Sequence, residues 1–134
     1  RERRSAIGTA SFMRVRIMWP SGQVTATLQD TPTTRRLKAV LPVEARANRW
    51  GQEVYFDVPV RAALEPHAKQ VVEPGTVCFW VEGTSLAIPF GPTPISKQQE
   101  CRLVARVNIL GAIDGNPLVL NAIKAGDRIR VEIV

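Results

Sequence analysis

The sequence predicts a mainly β fold, a closed antiparallel barrel of eight strands with two short helices. Three observations lead to it. Apolar and polar residues alternate along most of the chain in short runs, as they do in strands with one buried face. Turn signals at Pro20-Ser21-Gly22, Glu73-Pro74-Gly75, Glu82-Gly83-Thr84 and Ala125-Gly126-Asp127 punctuate those runs. The strands lack the helical crossovers that a parallel sheet requires, and closing such a sheet on itself removes its exposed edges.

Each element has a local reason. Phe12, Arg14, Arg16 and Met18 alternate with Met13, Val15, Ile17 and Trp19, and the turn at Pro20 leads into Val24, Ala26 and Leu28, which gives a hairpin. Thr31 is suited to cap a helix whose first position is Pro32, with Leu37, Val40 and Leu41 at helical spacing until Pro42 stops it. Val54 to Val60 reads as an irregular or edge strand, because Pro59 cannot donate to a ladder. Val71-Val72, Thr76 to Val81 and Ser85 to Phe90 are three more short strands. A polar loop from Gly91 to Glu100 precedes a long strand, Arg102 to Leu110. Helical turns are expected over Asn116 to Ile123, and Arg128 to Val134 alternates once more as the last strand.

The chain has 134 residues, 45% of them hydrophobic. A chain of that size buries roughly 65 to 70% of the surface it exposes when unfolded, enough for one core. The predicted organisation is a barrel domain over 12–134 preceded by a flexible basic tail, 1–11. No apolar run reaches the roughly 18 residues of a membrane span, so no membrane partner is expected. Of the net charge of +6, residues 1–16 supply +4 through five arginines against Glu2. The excess is therefore local, and no aromatic residue lies within the 1–11 tail, so nucleic acid is not the expected partner.

Cys78 and Cys101 are too few for a disulfide scaffold, and no secretory-type segment precedes the domain. A reducing, cytoplasmic setting follows as the expectation. Cys78 alternates inside an apolar strand and reads as a small buried hydrophobe, whereas Cys101 opens a strand after a polar loop, in position to be exposed. His67 is the single histidine and neither cysteine has a C-x-x-C neighbour, so no metal and no cofactor are expected. The cysteines, Ser85 and Ser96 likewise lack an activating base. What remains for chemistry is a set of aromatics near turns, Trp50, Tyr55, Phe79, Trp80 and Phe90, with Glu53, Glu82, Thr93, Arg106 and Asn108 as polar candidates. Aromatic walls with a few convergent polar groups suit a small molecule or an extended peptide.

Five segments in one order carry a family resemblance: Trp50-Gly51-Gln52-Glu53-Val54-Tyr55-Phe56 with Pro59-Val60, Glu73-Pro74-Gly75, Phe79-Trp80-Val81-Glu82-Gly83, Pro89-Phe90-Gly91-Pro92-Thr93-Pro94, and Val107-Asn108-Ile109-Leu110-Gly111. Over Phe12 to Val134 the chain resembles the small prokaryotic cyclophilin-like family of unknown function, which implies an eight-stranded cyclophilin-like barrel with a helix near each end. Resemblance to true cyclophilins raises peptidyl-prolyl isomerisation, in which an arginine stabilises the proline amide as it loses resonance. The stretch Val54-Tyr55-Phe56-Asp57-Val58-Pro59 matches theirs with Phe56 at the arginine position. Leu86 to Phe90 lacks their glutamine, and Val107 stands where their histidine is expected. The implied function is therefore binding of a small molecule or peptide in a surface cleft without the conventional isomerase residues. A divergent isomerase, an assembly module and nucleic-acid contact through the tail are the alternatives. The resemblance further implies one accessible cleft on the groove-bearing strands, containing Tyr55, Phe90, Thr93 and Arg106 with Glu53 at its margin.

Overall fold

The computed structural model describes residues 12–134. Its strands are β1 (Phe12–Trp19), β2 (Gly22–Gln29), β3 (Val43–Arg46), β4 (Asn48–Arg49), β5 (Glu53–Asp57), β6 (Lys69–Val72), β7 (Thr76–Trp80), β8 (Ser85–Pro89), β9 (Cys101–Ile113) and β10 (Arg128–Ile133). A helix, α1 (Pro32–Val40), follows β2, and a 3₁₀ helix, α2 (Pro117–Ala122), precedes β10. The expected basic tail, 1–11, lies outside the described residues. Arg14 and Arg16, the next two arginines, are ion-paired on the barrel surface with Asp114 at 3.0 Å and Glu132 at 3.1 Å.

The hairpin forms in full register from Phe12 opposite Gln29 to Trp19 opposite Gly22. Thr31 caps α1 through its hydroxyl, which accepts from the Thr34 amide at 3.0 Å, and Pro32 occupies the first turn where its missing N–H costs nothing. Asn116 caps α2 in the same way, accepting from the Leu118 amide at 3.0 Å.

All strand pairings are antiparallel, in the order β3-β10-β1-β2-β9-β7-β8-β5-β4, with β6 added on β9. The expected count of eight strands becomes ten. The two additions, β3 and β4, close the fold. They stand at opposite ends of the sheet, yet only Ala47 separates them in the chain, and its backbone is held to Asp127 and Gly126 by hydrogen bonds of 2.8 Å each. One continuous segment thus forms both edges of the sheet and nearly closes the barrel. A segment of sequence Val-Glu-Ala-Arg-Ala-Asn-Arg carries only Val and Ala on its buried face, too weak an apolar signal to read as a strand.

Alternation gives the sheet two faces. Val15, Ile17, Ala26, Leu28, Val54, Phe56, Val77, Phe79, Leu86, Ile88 and Leu110 fill the barrel interior. On the outer face of β5, β7, β8 and β9 lies a second, smaller cluster, in which Val72, Cys78, Ala87, Cys101, Leu103 and Val107 pack with Tyr55, Trp80 and Ile109. β6 lies along the first half of β9 and covers part of this cluster, with Val72 opposite Cys101. Cys101, placed by sequence where exposure was open to it, is consequently 1% exposed, while Cys78 is buried as expected.

Candidate functional site

β5 alternates Val54 and Phe56 into the barrel with Glu53, Tyr55 and Asp57 to the outside. Through the β5–β8 and β8–β7 registers, Tyr55 lies opposite Ala87 and Ala87 opposite Cys78, while Asp57, Ser85 and Trp80 form the next row. β9 supplies the remaining wall by an irregularity. Lys69 pairs with Val107 but Val71 pairs with Arg102, so two residue steps on β6 match five on β9. Such a bulge bends a strand and re-aims its side chains. Leu103, Val104 and Val107 are turned toward Tyr55 and Trp80 as a result, and the Gln70 side-chain amide steadies the bulge by donating to the Leu103 carbonyl at 2.9 Å.

These elements enclose a cavity of about 210 Å³ lined by Trp50, Glu53, Tyr55, Trp80, Ala87, Leu103, Val104 and Val107. The Tyr55 and Trp80 rings meet edge to face, centroids 6.1 Å apart and planes at 85°, so they form a right-angled corner. Glu53 is only 6% exposed, and its Oε1 has no hydrogen-bond partner. Burial pushes its carboxyl up to about 7. Arg16 Nε and Trp19 Nε1 are the other buried unpartnered side-chain atoms among the described residues, but Arg16 satisfies its charge with Glu132. Of these three, Glu53 is the one on the wall of this cavity. A larger, open depression of about 570 Å³ beside Arg36, Pro59 and Arg61 has no such group on its lining.

The turn that presents Trp50 and Glu53 is braced from two sides. Gln52 donates its amide to the Pro92 carbonyl at 3.0 Å, and the Phe90 amide donates to the Gln52 carbonyl at 2.8 Å. Gly51 adopts φ +60 with Pro94 Cδ only 2.9 Å from where a Cβ would stand, so glycine is required by both conformation and space. On the other side, the Arg49 guanidinium lies 5.1 Å above the Phe90 ring centroid and donates to the Gly51 carbonyl at 3.1 Å.

The five sequence-derived site residues therefore separate. Glu53 and Tyr55 line the cavity. Phe90 is 3% exposed and belongs to the interior, with the same parity as Leu86 and Ile88. Thr93 is buried; its hydroxyl donates to the Arg102 carbonyl and lies 3.1 Å from Ser96 Oγ, which ties the 91–94 loop to the start of β9. Arg106 is exposed on β9 and does not line the cavity. Glu82 is exposed in its turn, and Asn108 is engaged in the interior. Sequence reasoning missed Ala87, Leu103 and Val104; alternation carried along β9 cannot anticipate a bulge. Among the described residues no group of His, Cys, Asp and Glu is arranged to hold a metal ion, and no helix is long and apolar enough to cross a membrane.

A family model described as cyclophilin-like matches residues 13–132, nearly all of the described chain. The chain belongs to the cyclophilin-like family. Among solved structures, this cyclophilin-like chain is similar to the solution structure of a hypothetical protein from Archaeoglobus fulgidus. The two are 34% identical with a TM-score of 0.79, and the match covers 92% of this chain and 96% of the archaeal one. No curated protein matches. Within the cyclophilin-like barrel, Val107 is a cavity wall, whereas Phe56 is 1% exposed inside the barrel.

Proposed function

We propose that this cyclophilin-like domain binds a small molecule, or one side chain of an extended peptide, in the outer-face cavity beside Glu53, and that it is not a conventional prolyl isomerase. The observation that carries this reading is the buried Glu53, its Oε1 unpartnered among the described residues, on the wall of an aromatic-lined cavity. Burying a carboxyl without a partner costs stability, and carboxyls perturbed by burial in a cleft concentrate at functional sites. The cavity volume of about 210 Å³ is below the usual drug-sized range of roughly 300–1,000 Å³, so a small group enters it. Against isomerisation stands the absence, among the described residues, of any arginine or lysine on the cavity wall, since a rotating proline amide needs a donor near its nitrogen.

The test is a titration of the labelled protein with small fragments, followed by NMR at the Trp50 and Trp80 indole N–H groups. Fragments of four to eight heavy atoms are expected to shift those two signals at millimolar concentration. Shifts confined to other parts of the barrel, or none, would remove the site. In an X-Pro peptide assay no acceleration is expected; acceleration abolished by Tyr55→Ala would restore the isomerase.

A further inference from the structure

We infer that the cavity takes an alkylammonium group, with the Glu53 carboxylate as counter-ion and hydrogen-bond acceptor and the Trp50, Tyr55 and Trp80 rings as walls. The inference rests on the reading of this cavity as a ligand site, and it names the chemistry of what enters.

Three features of the cavity select that chemistry. The Glu53 carboxyl stands on the cavity wall with its Oε1 buried and unpartnered among the described residues, so an occupant that brings a donor hydrogen to the carboxyl is favoured over one that brings none. No Lys or Arg lines the cavity, and no ion pair reaches Glu53 among the described residues. Among the described residues the countercharge is thus missing, and an anion would be repelled by the carboxylate. The third feature is the right-angled corner of Tyr55 and Trp80, with Trp50 completing the aromatic lining. Ring faces attract a cation by their quadrupole, worth about 2 kcal/mol or more when desolvated, and offer nothing comparable to a neutral donor.

Size and surroundings agree. The cavity has room for roughly seven waters at about 30 Å³ each, enough for an ammonium head and a short aliphatic stem against Leu103, Val104 and Val107. Two thiols, Cys78 and Cys101, sit near Glu53, and burial pushes both of them up, so they stay neutral and do not compete as counter-ions. Because burial has raised the Glu53 carboxyl to about 7, an arriving cation favours its ionised form.

The experiment titrates the protein at pH 8 and low salt with n-butylammonium, n-butanol and butyrate, read at the Trp50 and Trp80 indole signals. Butylammonium is expected to bind at least tenfold more tightly than butanol, with no shift from butyrate. Glu53→Gln should reduce butylammonium to the level of butanol, costing butylammonium far more than it costs butanol, and Trp80→Leu, an independent variant, should weaken butylammonium more than butanol. Equal binding of butanol and butylammonium at those rings would overturn the ammonium assignment and leave the cavity as a neutral-ligand site. N-methylacetamide binding best, and better at pH 6 than at pH 8, would overturn it in favour of a protonated Glu53 that donates to a carbonyl. No shift from any probe would overturn both readings. A second arm compares butylammonium with the peptide acetyl-AAKAA-amide. Tenfold tighter peptide binding assigns the ammonium to a lysine side chain, and equal or weaker binding assigns it to a free amine; both results uphold the chemistry.

Discussion

Asn108 and Glu53 are polar side chains buried in the same sheet, and the barrel treats them in opposite ways. Asn108, fully buried on β9, uses its whole amide. Its Nδ2 donates to Thr33 Oγ1 at 3.0 Å and to the Ala63 carbonyl at 2.9 Å, and its Oδ1 accepts from the Glu65 amide at 2.7 Å. Glu65 in turn accepts from the Thr33 amide at 3.0 Å and from its hydroxyl. One side chain thereby fastens α1 and the 63–65 segment over the interior. Glu53, on the outer face, has Oε1 unpartnered and a carboxyl raised to about 7. A satisfied buried polar group specifies structure, whereas an unsatisfied one stores a cost that the native fold bears for another reason.

If that contrast is right, removing the two groups has opposite consequences. Asn108→Ala leaves the Glu65 amide and the Ala63 carbonyl without partners, each costing about 1–3 kcal/mol. A loss of about 3–5 kcal/mol is expected in urea unfolding at pH 7. A loss below 1 kcal/mol would mean that water replaces the network.

For Glu53 the prediction is a pH dependence. Between the ordinary value of 4.5 and about 7, the native state holds a proton that the unfolded chain has released, so stability falls as pH rises through that window. The fall is about 3 kcal/mol at 1.36 kcal/mol per unit and is complete above pH 7. Surface carboxylates such as Asp114, held low by hydrogen bonds from Thr25 and Arg14, and Glu132, held low by Arg130 and Arg16, act in the opposite sense at lower pH. The quantity to measure is therefore the difference between wild type and Glu53→Gln from pH 4.5 to 8. It should move in favour of the variant as pH rises; a flat difference would show that the carboxyl is solvated.

Thr93→Val sharpens the comparison from the side of the frame. Thr93 holds the loop that braces the Trp50–Gln52 turn through its bonds to Ser96 and Arg102. Removing its hydroxyl is expected to cost about 1–2 kcal/mol and to weaken fragment binding in the cavity without changing the pH dependence assigned to Glu53. A variant that binds normally would confine Thr93 to loop stability.

The fold was legible in the sequence wherever a strand has a strong apolar face, as in β1, β2, β9 and β10, and wherever a helix begins on a cap and a proline, as at Thr31-Pro32. It was not legible at Val43–Arg49, whose role as the seam depends on pairing at both ends of the sheet and not on its own hydrophobicity. For the site, the parity of β5 already placed Glu53 and Tyr55 on one face, and the parity of Leu86, Ile88 and Phe90 would have assigned Phe90 to the interior. Trp50, Trp80 and Val107 were visible as residues but not as neighbours. Their meeting depends on a turn braced by the 91–94 loop and on a bulge in β9, both set by tertiary contacts with no local signature.

The smallest expected effect tests whether the aromatic corner is a ligand wall or mere packing. Gly83 lies under the Trp80 ring, and a Cβ there would collide with Trp80 Cε3 and Cζ3. Trp80 is half-buried at the outer face and can yield by rotating, so Gly83→Ala should cost only about 1 kcal/mol, at the low end for overpacking. The rotation would nevertheless destroy the 85° arrangement with Tyr55 and open the cavity. Nothing in the Asn108 network touches this corner, so a ligand wall predicts a variant that is nearly as stable as wild type, keeps the Glu53 pH dependence in weakened form because water now reaches the carboxyl, and loses fragment shifts at the Trp80 indole. If Trp80 is only packing, Gly83→Ala will lower stability while fragment binding stays as it was.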